Sequence, residues 1–224
     1  YITATGFPNE QETLYKKFWP ASLHMVGKDI LRFHAVYWPA FLLAAGLEPP
    51  KRVFAHGWWT NEGQKISKSL GNVIDPIELV EKYGLDQVRY FLLREVPFGN
   101  DGDFSKNSMI NRINSDLSND LGNLCQRVLS FVQKNCDASI PQNNGFSKDD
   151  ERLIAQVYGV LPSLRADFNS QSFNVALERI WSIVSASNKY IDEQAPWKLR
   201  QTEPERMQTV LFTLLETIRC IGIM

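Results

Sequence analysis

The chain has 224 residues, of which 44% are hydrophobic and 22% charged, so it is long enough for one large domain or two modest ones. Its 24 basic and 25 acidic side chains nearly cancel, which excludes a uniformly basic surface and leaves any nucleic-acid partner to local patches and aromatic rings. No apolar run is long enough to cross a membrane, and the N-terminal residues do not have the pattern of a signal peptide.

The first part of the chain has the pattern of an α/β protein. It opens at Tyr1, close to a strand-like segment, and we expect that preceding sequence is missing. Leu23–Val26 predicts a short buried strand and Gly27–Lys28 a tight turn. Asp29 is then the predicted N-cap of a helix that Pro39 kinks or restarts. A strand that enters a helix through a glycine turn is the α/β unit whose strand ends bind ligands.

A second strand and a turn follow. Val53–Trp59 is the second predicted strand, and the turn at Asn61–Gly63 places Lys65–Ser69 just beyond a hairpin-like feature. Two short helices and an irregular passage come next: a helix from Asp75–Pro76 to Gly84, a helix over Asp86–Arg94, and the glycine-rich passage Pro97–Phe104.

From about Ser108 onward the pattern is helical. Apolar residues recur at spacings of three and four over Ile110–Val128 and Phe173–Val184, which predicts amphipathic helices. Residues 136–147 predict a polar loop, and Pro204–Ile221 a final helix. The predicted architecture is therefore an α/β piece, a connector and an antiparallel helical bundle.

The most informative stretch is a serine-rich loop with two lysines. Lys65 and Lys68 lie three residues apart, which suits a loop that grips a polyphosphate while charge moves onto the leaving group. On its own, such a run is more often a solvated loop. Lys65–Ser69 resembles the KMSKS signature of class I aminoacyl-tRNA synthetases, with Ile66 in place of the usual methionine.

The resemblance runs essentially end to end and is closest to the methionyl-tRNA synthetases rather than their leucyl, valyl or cysteinyl relatives. The segments that carry it are Gly27–Asp29, Trp38–Ala40, Lys65–Asn72, Gly99–Phe104 and Asn188–Trp197. It implies three parts: the second half of a Rossmann-type catalytic domain at 1–58, a connector (stem-contact) region with the KMSKS-like loop at 59–108, and a helical anticodon-binding domain at 109–224.

The resemblance implies ligation of L-methionine to its tRNA in two steps. The methionine carboxylate attacks the α-phosphate of ATP and pyrophosphate leaves; the methionyl group is then transferred to the tRNA 3′ end. Lys65 and Lys68 are the implied catalytic residues and share the neutralisation of the leaving phosphates with Mg²⁺. The implied ATP-binding residues are Gly27, Asp29, His56, Trp59, Lys65, Ser67, Lys68 and Ser69. The implied methionine-binding residues are Tyr1, Phe33, His34 and Tyr37, whose rings suit a thioether.

Each of these residues also has a plainer interpretation. Taken alone, Gly27–Asp29 is a helix cap, and the aromatic residues one turn apart at Phe33 and Tyr37 are a core stripe. Likewise His56 is a core histidine and Trp59 a hairpin aromatic. The resemblance favours the functional interpretation, because the matching segments come in the family's order.

The resemblance also implies an anticodon-binding set in the helical part, which makes tRNA(Met) the expected partner. Asn123 and Arg127 are one helical turn apart on a polar face that also carries Asp116, Asn119 and Asp120, and taken alone this is a solvated face. In the family the tryptophan that matches Trp197 stacks on an anticodon base. Unpaired loop bases are the usual targets of sequence-specific RNA recognition.

Two features of the family are absent from the sequence. The HIGH signature, which binds the ATP phosphates, is not present, so we expect that this chain alone does not form the adenylate efficiently. A zinc-knuckle insertion is absent too. The cysteines lie far apart without a CxxC pair, so no protein-bound metal is expected in this segment and a reducing, cytoplasmic location is expected: Cys125, Cys136 and Cys220.

Two alternatives stay open. A non-catalytic RNA-binding module derived from a synthetase would carry the lysine loop only as a surface feature. Another nucleotidyl-transferring α/β enzyme would leave the set Asn123, Arg127 and Trp197 unexplained.

Overall fold

The structure is a computed structural model that describes residues 1–9 and 13–224 and divides into two units. The first unit comprises Tyr1–Val73 with Phe98–Asp103, and the second comprises Ile74–Pro97 with Phe104–Met224. The three-part division expected from the sequence stays a prediction.

The first unit contains a parallel strand pair joined by a helical connection. Strands β1 (His24–Gly27) and β2 (Val53–His56) pair in parallel, with Gly27 opposite His56 at their carboxyl ends. Parallel neighbours need such a crossover. The connection consists of a 3₁₀ turn (Lys28–Ile30), a wide π-type turn (Phe33–Tyr37) and α2 (Trp38–Ala44), and the elements before β1 are a 3₁₀ turn (Ile2–Thr5) and α1 (Thr13–Phe18).

The start of this connection differs in detail from the sequence-based expectation. Gly27, not Asp29, occupies the N-cap position in an extended conformation, and Asp29 lies within the first turn. The expected interruption at Pro39 is confirmed, because the wide turn at Phe33–Tyr37 ends just before it. A proline cannot donate to the preceding turn, and the change of helical pitch accommodates this.

A small sheet lies beside the strand pair, and the single strand predicted over Val53–Trp59 is wrong. The strand is interrupted at Gly57 and Trp58, so β2 (Val53–His56) and β3 (Trp59–Asn61) are separate strands that belong to different sheets. A Cβ on Gly57 would overlap the Asn100 carbonyl, so the backbones approach to a distance that only glycine permits. The order of the small sheet is β4 (Gln64–Lys65), β3 (Trp59–Asn61) and β5 (Gly102–Phe104).

The predicted turn at Asn61–Gly63 is confirmed as a tight antiparallel hairpin. Asn61 pairs with Gln64 and Thr60 with Lys65, so β3 and β4 are joined by two residues. Both turn residues have left-handed backbones, with φ of 50° at Glu62 and 76° at Gly63. This pattern matches the twist of the flanking strands. Lys65 therefore belongs to β4 rather than to the loop beyond it.

The second unit is helical. Asp75 caps α3 as predicted, accepting from the Ile77 backbone N–H at 2.7 Å, and Gly84 ends that helix. None of the helices in the described part is long and apolar enough to cross a membrane. In chain order the helices are α3 (Pro76–Tyr83), α4 (Leu85–Arg94), α5 (Lys106–Arg112), a π-type segment (Ile113–Gly122), α6 (Asn123–Asn135), α7 (Lys148–Gly159), α8 (Leu161–Asn169), α9 (Phe173–Gln194), α10 (Pro196–Thr202) and α11 (Pro204–Ile221).

The core of this unit lies where α6, α7, α9 and α11 meet. Each fully buried aliphatic side chain contributes about 1.5–3 kcal/mol to stability. The apolar spacing predicted for the last helices is confirmed by this burial. The side chains with no solvent exposure include Leu124, Val128, Val157, Ile183, Val184, Val210, Leu211 and Leu214.

Asp116 is a correction to the predicted polar face. It is only 8% exposed and accepts hydrogen bonds from the Tyr90 hydroxyl at 2.7 Å and from Ser115 at 2.8 Å. Arg112 also contacts it, at 3.4 Å. The wide π-type segment shifts which side chains share a face, so the ordinary helical period does not hold across it.

Candidate functional site

An aromatic cavity lies on the helical connection of the first unit. It measures about 370 Å³ and brings together the four residues predicted to bind methionine. Trp38 and Phe41 complete its lining, and the sequence-based prediction missed them. Their signal was spacing, since each follows a predicted residue by four positions. The cavity is open, because Phe33 is 58% exposed. The predicted members are Tyr1, Phe33, His34 and Tyr37.

Hydrogen bonds orient the side chains of Tyr1 and His34. His34 Nδ1 lies 3.0 Å from the Ile30 carbonyl oxygen, which can only accept, so Nδ1 carries the proton. In the neutral ring Nε2 then accepts from the Tyr1 hydroxyl at 2.5 Å. The Tyr1 ring also meets Trp38 edge-on, with centroids 5.9 Å apart. The cavity wall is therefore held in one arrangement by two hydrogen bonds and a ring contact.

Three of the predicted nucleotide-binding residues converge at the carboxyl ends of β1 and β2. The Asp29 carboxylate turns back over Gly27, and its Oδ1 is 2.5 Å from where a Cβ on Gly27 would lie. The His56 ring is 3.8 Å from the same point. His56 Nδ1 lies 2.9 Å from the Gly57 carbonyl oxygen and donates to it, which leaves Nε2 as an acceptor. The Asp29 carboxylate and the His56 ring thus both lie against the backbone of Gly27.

A cluster around Lys28 borders these strand ends, and the sequence-based prediction missed it. Lys28 Nζ contacts both Asp101 carboxylate oxygens at 2.6 Å and lies 4.2 Å from the centre of a Trp58 ring. Asp101 also accepts from the Trp58 backbone N–H at 2.9 Å. The hydrogen bond from Lys28, followed by that from Trp58, lowers the pKa of Asp101. Trp59, the predicted nucleotide-binding residue, is the first residue of β3.

The two lysines of the loop are exposed. Lys65 ends β4, and Lys68 begins a 3₁₀ turn over Lys68–Leu70. Within residues 1–9 and 13–224, neither ammonium group has a hydrogen bond or an ion pair, and nothing joins them to Gly27, Asp29 or His56. Both charges are therefore available to an anionic ligand.

Asn72 holds the lysine loop in shape, a role that the sequence-based prediction missed. Its side chain accepts from the Ser67 backbone N–H at 2.8 Å and donates to the Lys65 carbonyl at 3.0 Å. The Asn61 amide donates to the Asn72 carbonyl at 2.9 Å, which ties the loop to β3. Ser67 caps the 3₁₀ turn, accepting from the Ser69 backbone N–H at 3.3 Å.

The second unit brings together two of the three predicted anticodon-binding residues. The Arg127 guanidinium lies 5.7 Å from the centre of a Trp197 ring, and it donates to Asp192 at 2.5 Å. Asn123 lies one turn away on α6 and is exposed. A left-handed Ala195, with φ of 43°, ends α9 before Pro196 starts α10. This corner places Trp197 beside α6, with 44% of its surface exposed.

No metal site accompanies these residues. Within the part of the chain that the structure describes, no group of three or more His, Cys, Asp or Glu side chains is arranged to hold a metal ion.

Two known families match successive parts of the chain. Residues 1–129 match the family described as tRNA synthetases class I (M), so the fold is that of a class I aminoacyl-tRNA synthetase, with a Rossmann-like catalytic part. Residues 140–224 match the anticodon binding domain of methionyl tRNA ligase. The chain therefore belongs to the methionyl-tRNA synthetase family.

Individual relatives agree with this assignment. The chain is 53% identical over 224 residues to a methionine–tRNA ligase of Brucella suis and 50% identical over 228 residues to one of Mycobacterium leprae. All of this chain matches 43% and 42% of those proteins, so it spans less than half the length of these curated relatives. Mycobacterium tuberculosis methionyl-tRNA synthetase in complex with methionyl-adenylate superposes with a TM-score of 0.96 at 50% identity, covering 100% of this chain and 45% of that one.

Proposed function

We propose that the full-length protein carrying this sequence ligates L-methionine to tRNA(Met) through a methionyl-adenylate, and that this chain supplies part of the active site and the anticodon recognition. One observation carries the proposal. A single helical connection, Lys28 to Ala44, bears a polar cluster where it leaves β1 and an aromatic cavity along its length. A nucleotide and a thioether side chain are the two kinds of ligand that such a pair of surfaces suits.

The proposal includes the finer organisation expected from the sequence. Residues 1–58 would form the second half of a Rossmann-type catalytic domain, 59–108 a connector (stem-contact) region with the lysine loop, and 109–224 the anticodon-binding domain. The cytoplasm is the proposed location, because the three cysteines described are all free thiols.

For the nucleotide, the proposed roles follow from the geometry of the strand ends. Gly27 lets the ligand approach the backbone, and Asp29 accepts hydrogen bonds from ribose hydroxyls. His56 Nε2 is the proposed acceptor for an amino group of the adenine ring, because Nδ1 is committed to the Gly57 carbonyl oxygen. Trp59 is proposed to lie near the same ring.

For the leaving group, the proposed roles rest on the unpaired charges of Lys65 and Lys68. Among the residues that the structure describes, the two ammonium groups have no ion pair to lose when they neutralise the developing charge on pyrophosphate. The hydroxyls of Ser67 and Ser69 are the proposed phosphate donors beside them. Mg²⁺ is proposed to enter as the ATP complex, since this ion usually keeps phosphate and water ligands.

For methionine, the proposed pocket is the aromatic cavity, with Tyr1, Phe33, His34 and Tyr37 as binding residues. For tRNA, Asn123 and Arg127 are proposed to hydrogen-bond anticodon bases and Trp197 to stack on one of them. The isolated chain, which contains no HIGH sequence, is proposed not to form the adenylate by itself.

The test is Lys68→Ala in the full-length protein. Methionine-dependent ATP–pyrophosphate exchange should fall about a hundred- to a thousandfold, while binding of an anticodon stem-loop stays unchanged. Lys51→Ala is the matched control, because Lys51 is also an exposed lysine of the same unit. Equal losses in both variants would overturn the catalytic role of the loop. Stem-loop binding without any exchange by the wild-type protein would favour the non-catalytic RNA-binding alternative.

A further inference from the structure

The segment Asp101–Asp103 carries two carboxylates, one on each side of Gly102, and each binds a different part of the first unit. Asp101 binds Lys28 and the Trp58 backbone, at the carboxyl ends of the parallel strands. Asp103, two residues later, binds the hairpin that leads into the lysine loop. The same short segment therefore contacts both halves of the proposed nucleotide site.

The contacts of Asp103 are specific to the hairpin. Its Oδ1 accepts from the Thr60 hydroxyl at 2.5 Å and from the Gly63 backbone N–H at 2.8 Å. These two donors lie on either side of the turn residue Glu62. The backbone of Glu62 is left-handed, a conformation that residues with a side chain rarely adopt. One oxygen thus ties the first strand of the hairpin to its turn.

The residue that Asp103 binds on β3 is directly paired with the first lysine of the loop. Thr60 is the register partner of Lys65, the first lysine of the loop. The next residue, Asn61, donates to the carbonyl of Asn72, whose side chain closes the loop around Lys65 and Ser67. Because Asp103 binds Thr60 on β3, it also fixes the position of Lys65, the residue of β4 that pairs with Thr60 and leads into the loop.

We propose that Asp103 is a positioning residue for adenylate formation, which acts by holding the β3–β4 hairpin so that Lys65 and Lys68 reach the leaving phosphates. The inference rests on the proposed function. An ionised carboxylate is a stronger acceptor than a neutral amide, and the hydrogen bond from Thr60, followed by that from Gly63, lowers the pKa of Asp103. Asp101 holds the strand-end side of the same site through Lys28.

A double-mutant cycle in the full-length protein tests this inference. Asp103→Ala should lower the kcat of methionine-dependent pyrophosphate exchange by about tenfold to a hundredfold, the usual cost of misplacing a catalytic group by about 1 Å. The KM for methionine should stay unchanged. In a Lys68→Ala background the same substitution should cost less than it does in the wild type, because Lys65 is then the only lysine of the loop left to position. A rate loss that adds in full to that of Lys68→Ala would overturn the inference.

A second measurement does not depend on catalysis. Hydrogen exchange of the backbone amides in residues 59–72 should be faster in Asp103→Ala, and in the milder Asp103→Asn, than in the wild type. Asp86→Asn removes an exposed carboxylate elsewhere and should leave that segment unchanged. Unchanged exchange in both Asp103 variants would overturn the inference. A wild-type protein without pyrophosphate-exchange activity would refute the proposed function. The hydrogen-exchange measurement would then still decide whether Asp103 holds the hairpin.

Discussion

The guanidinium of Arg127 lies over the ring of Trp197, 5.7 Å from its centroid, although the two residues come from different helices. Asp192 holds the same guanidinium at 2.5 Å. Arg127 is therefore oriented from two sides within the chain itself, and one face of the tryptophan is supported. Preorganised side chains lose less conformational entropy on binding.

Trp197→Ala should weaken binding of the tRNA(Met) anticodon stem-loop. Stacking of a base on an aromatic side chain contributes about 1–3 kcal/mol, so the Kd should rise about 5- to 150-fold. Trp197→Phe should recover part of the loss. Fluorescence anisotropy of a labelled stem-loop measures this. Phe168→Ala removes an aromatic residue of the same unit that is 43% exposed and serves as the control. Equal weakening by both alanine variants would contradict the stacking role.

Tyr1→Phe should raise the KM for methionine in the full-length protein. The substitution removes only the hydroxyl that donates to His34 at 2.5 Å, so the aromatic wall stays but its orientation is less fixed. A hydrogen bond of this kind is worth about 0.5–1.5 kcal/mol, which corresponds to a rise of about two- to tenfold. Pyrophosphate exchange at varied methionine measures it. Tyr83→Phe is the control, and an identical KM for Tyr1→Phe and wild type would refute the role.

Local patterns were enough to predict much of the fold. The helix start at Asp75, the stop at Gly84 and the turn before Gln64 depend on residues adjacent in sequence, and all three are confirmed. The break at Gly57 is different. At this position the backbone of Asn100 lies directly against Gly57. A contact between segments more than forty residues apart in sequence leaves no signal in the local pattern.

The same distinction explains what was missed in the site. Four members of the aromatic cavity were predicted from the family resemblance, whereas the spacing of the aromatic residues alone indicated only a core stripe. Asn72 and Asp101 act through contacts that only folding creates, at Ser67 and at Lys28 respectively. Asp116 was misplaced for another reason: a π-type segment departs from the period on which face assignments depend.

Asp150→Ala should destabilise the helical unit strongly. Asp150 has no solvent exposure and accepts from Arg206, Tyr190 and the Ser147 backbone N–H. Removing the carboxylate leaves the largely buried Arg206 without its charged partner, at a cost of about 3–5 kcal/mol. Urea unfolding measures the loss. The neighbouring Asp149 is exposed, so Asp149→Ala should change stability by less than about 0.5 kcal/mol. Similar losses in both variants would contradict the role of the network.

The stabilising effect of Glu216 should disappear in acid. The hydrogen bond from Arg219 is the largest cause that lowers the pKa of Glu216 to about 2, whereas a carboxyl group of this kind in an unfolded chain titrates near pH ~4.3. A folded pKa below the unfolded one gives stability that is complete above the unfolded value and is lost as the pH falls towards the folded value. The difference in unfolding free energy between wild type and Glu216→Gln should therefore shrink between pH ~5 and pH ~2. Chemical unfolding at a series of pH values measures it, with Glu151→Gln, an exposed acid on α7, as the control. A difference that stays constant across that range would show that the charge of Glu216 does not stabilise the fold.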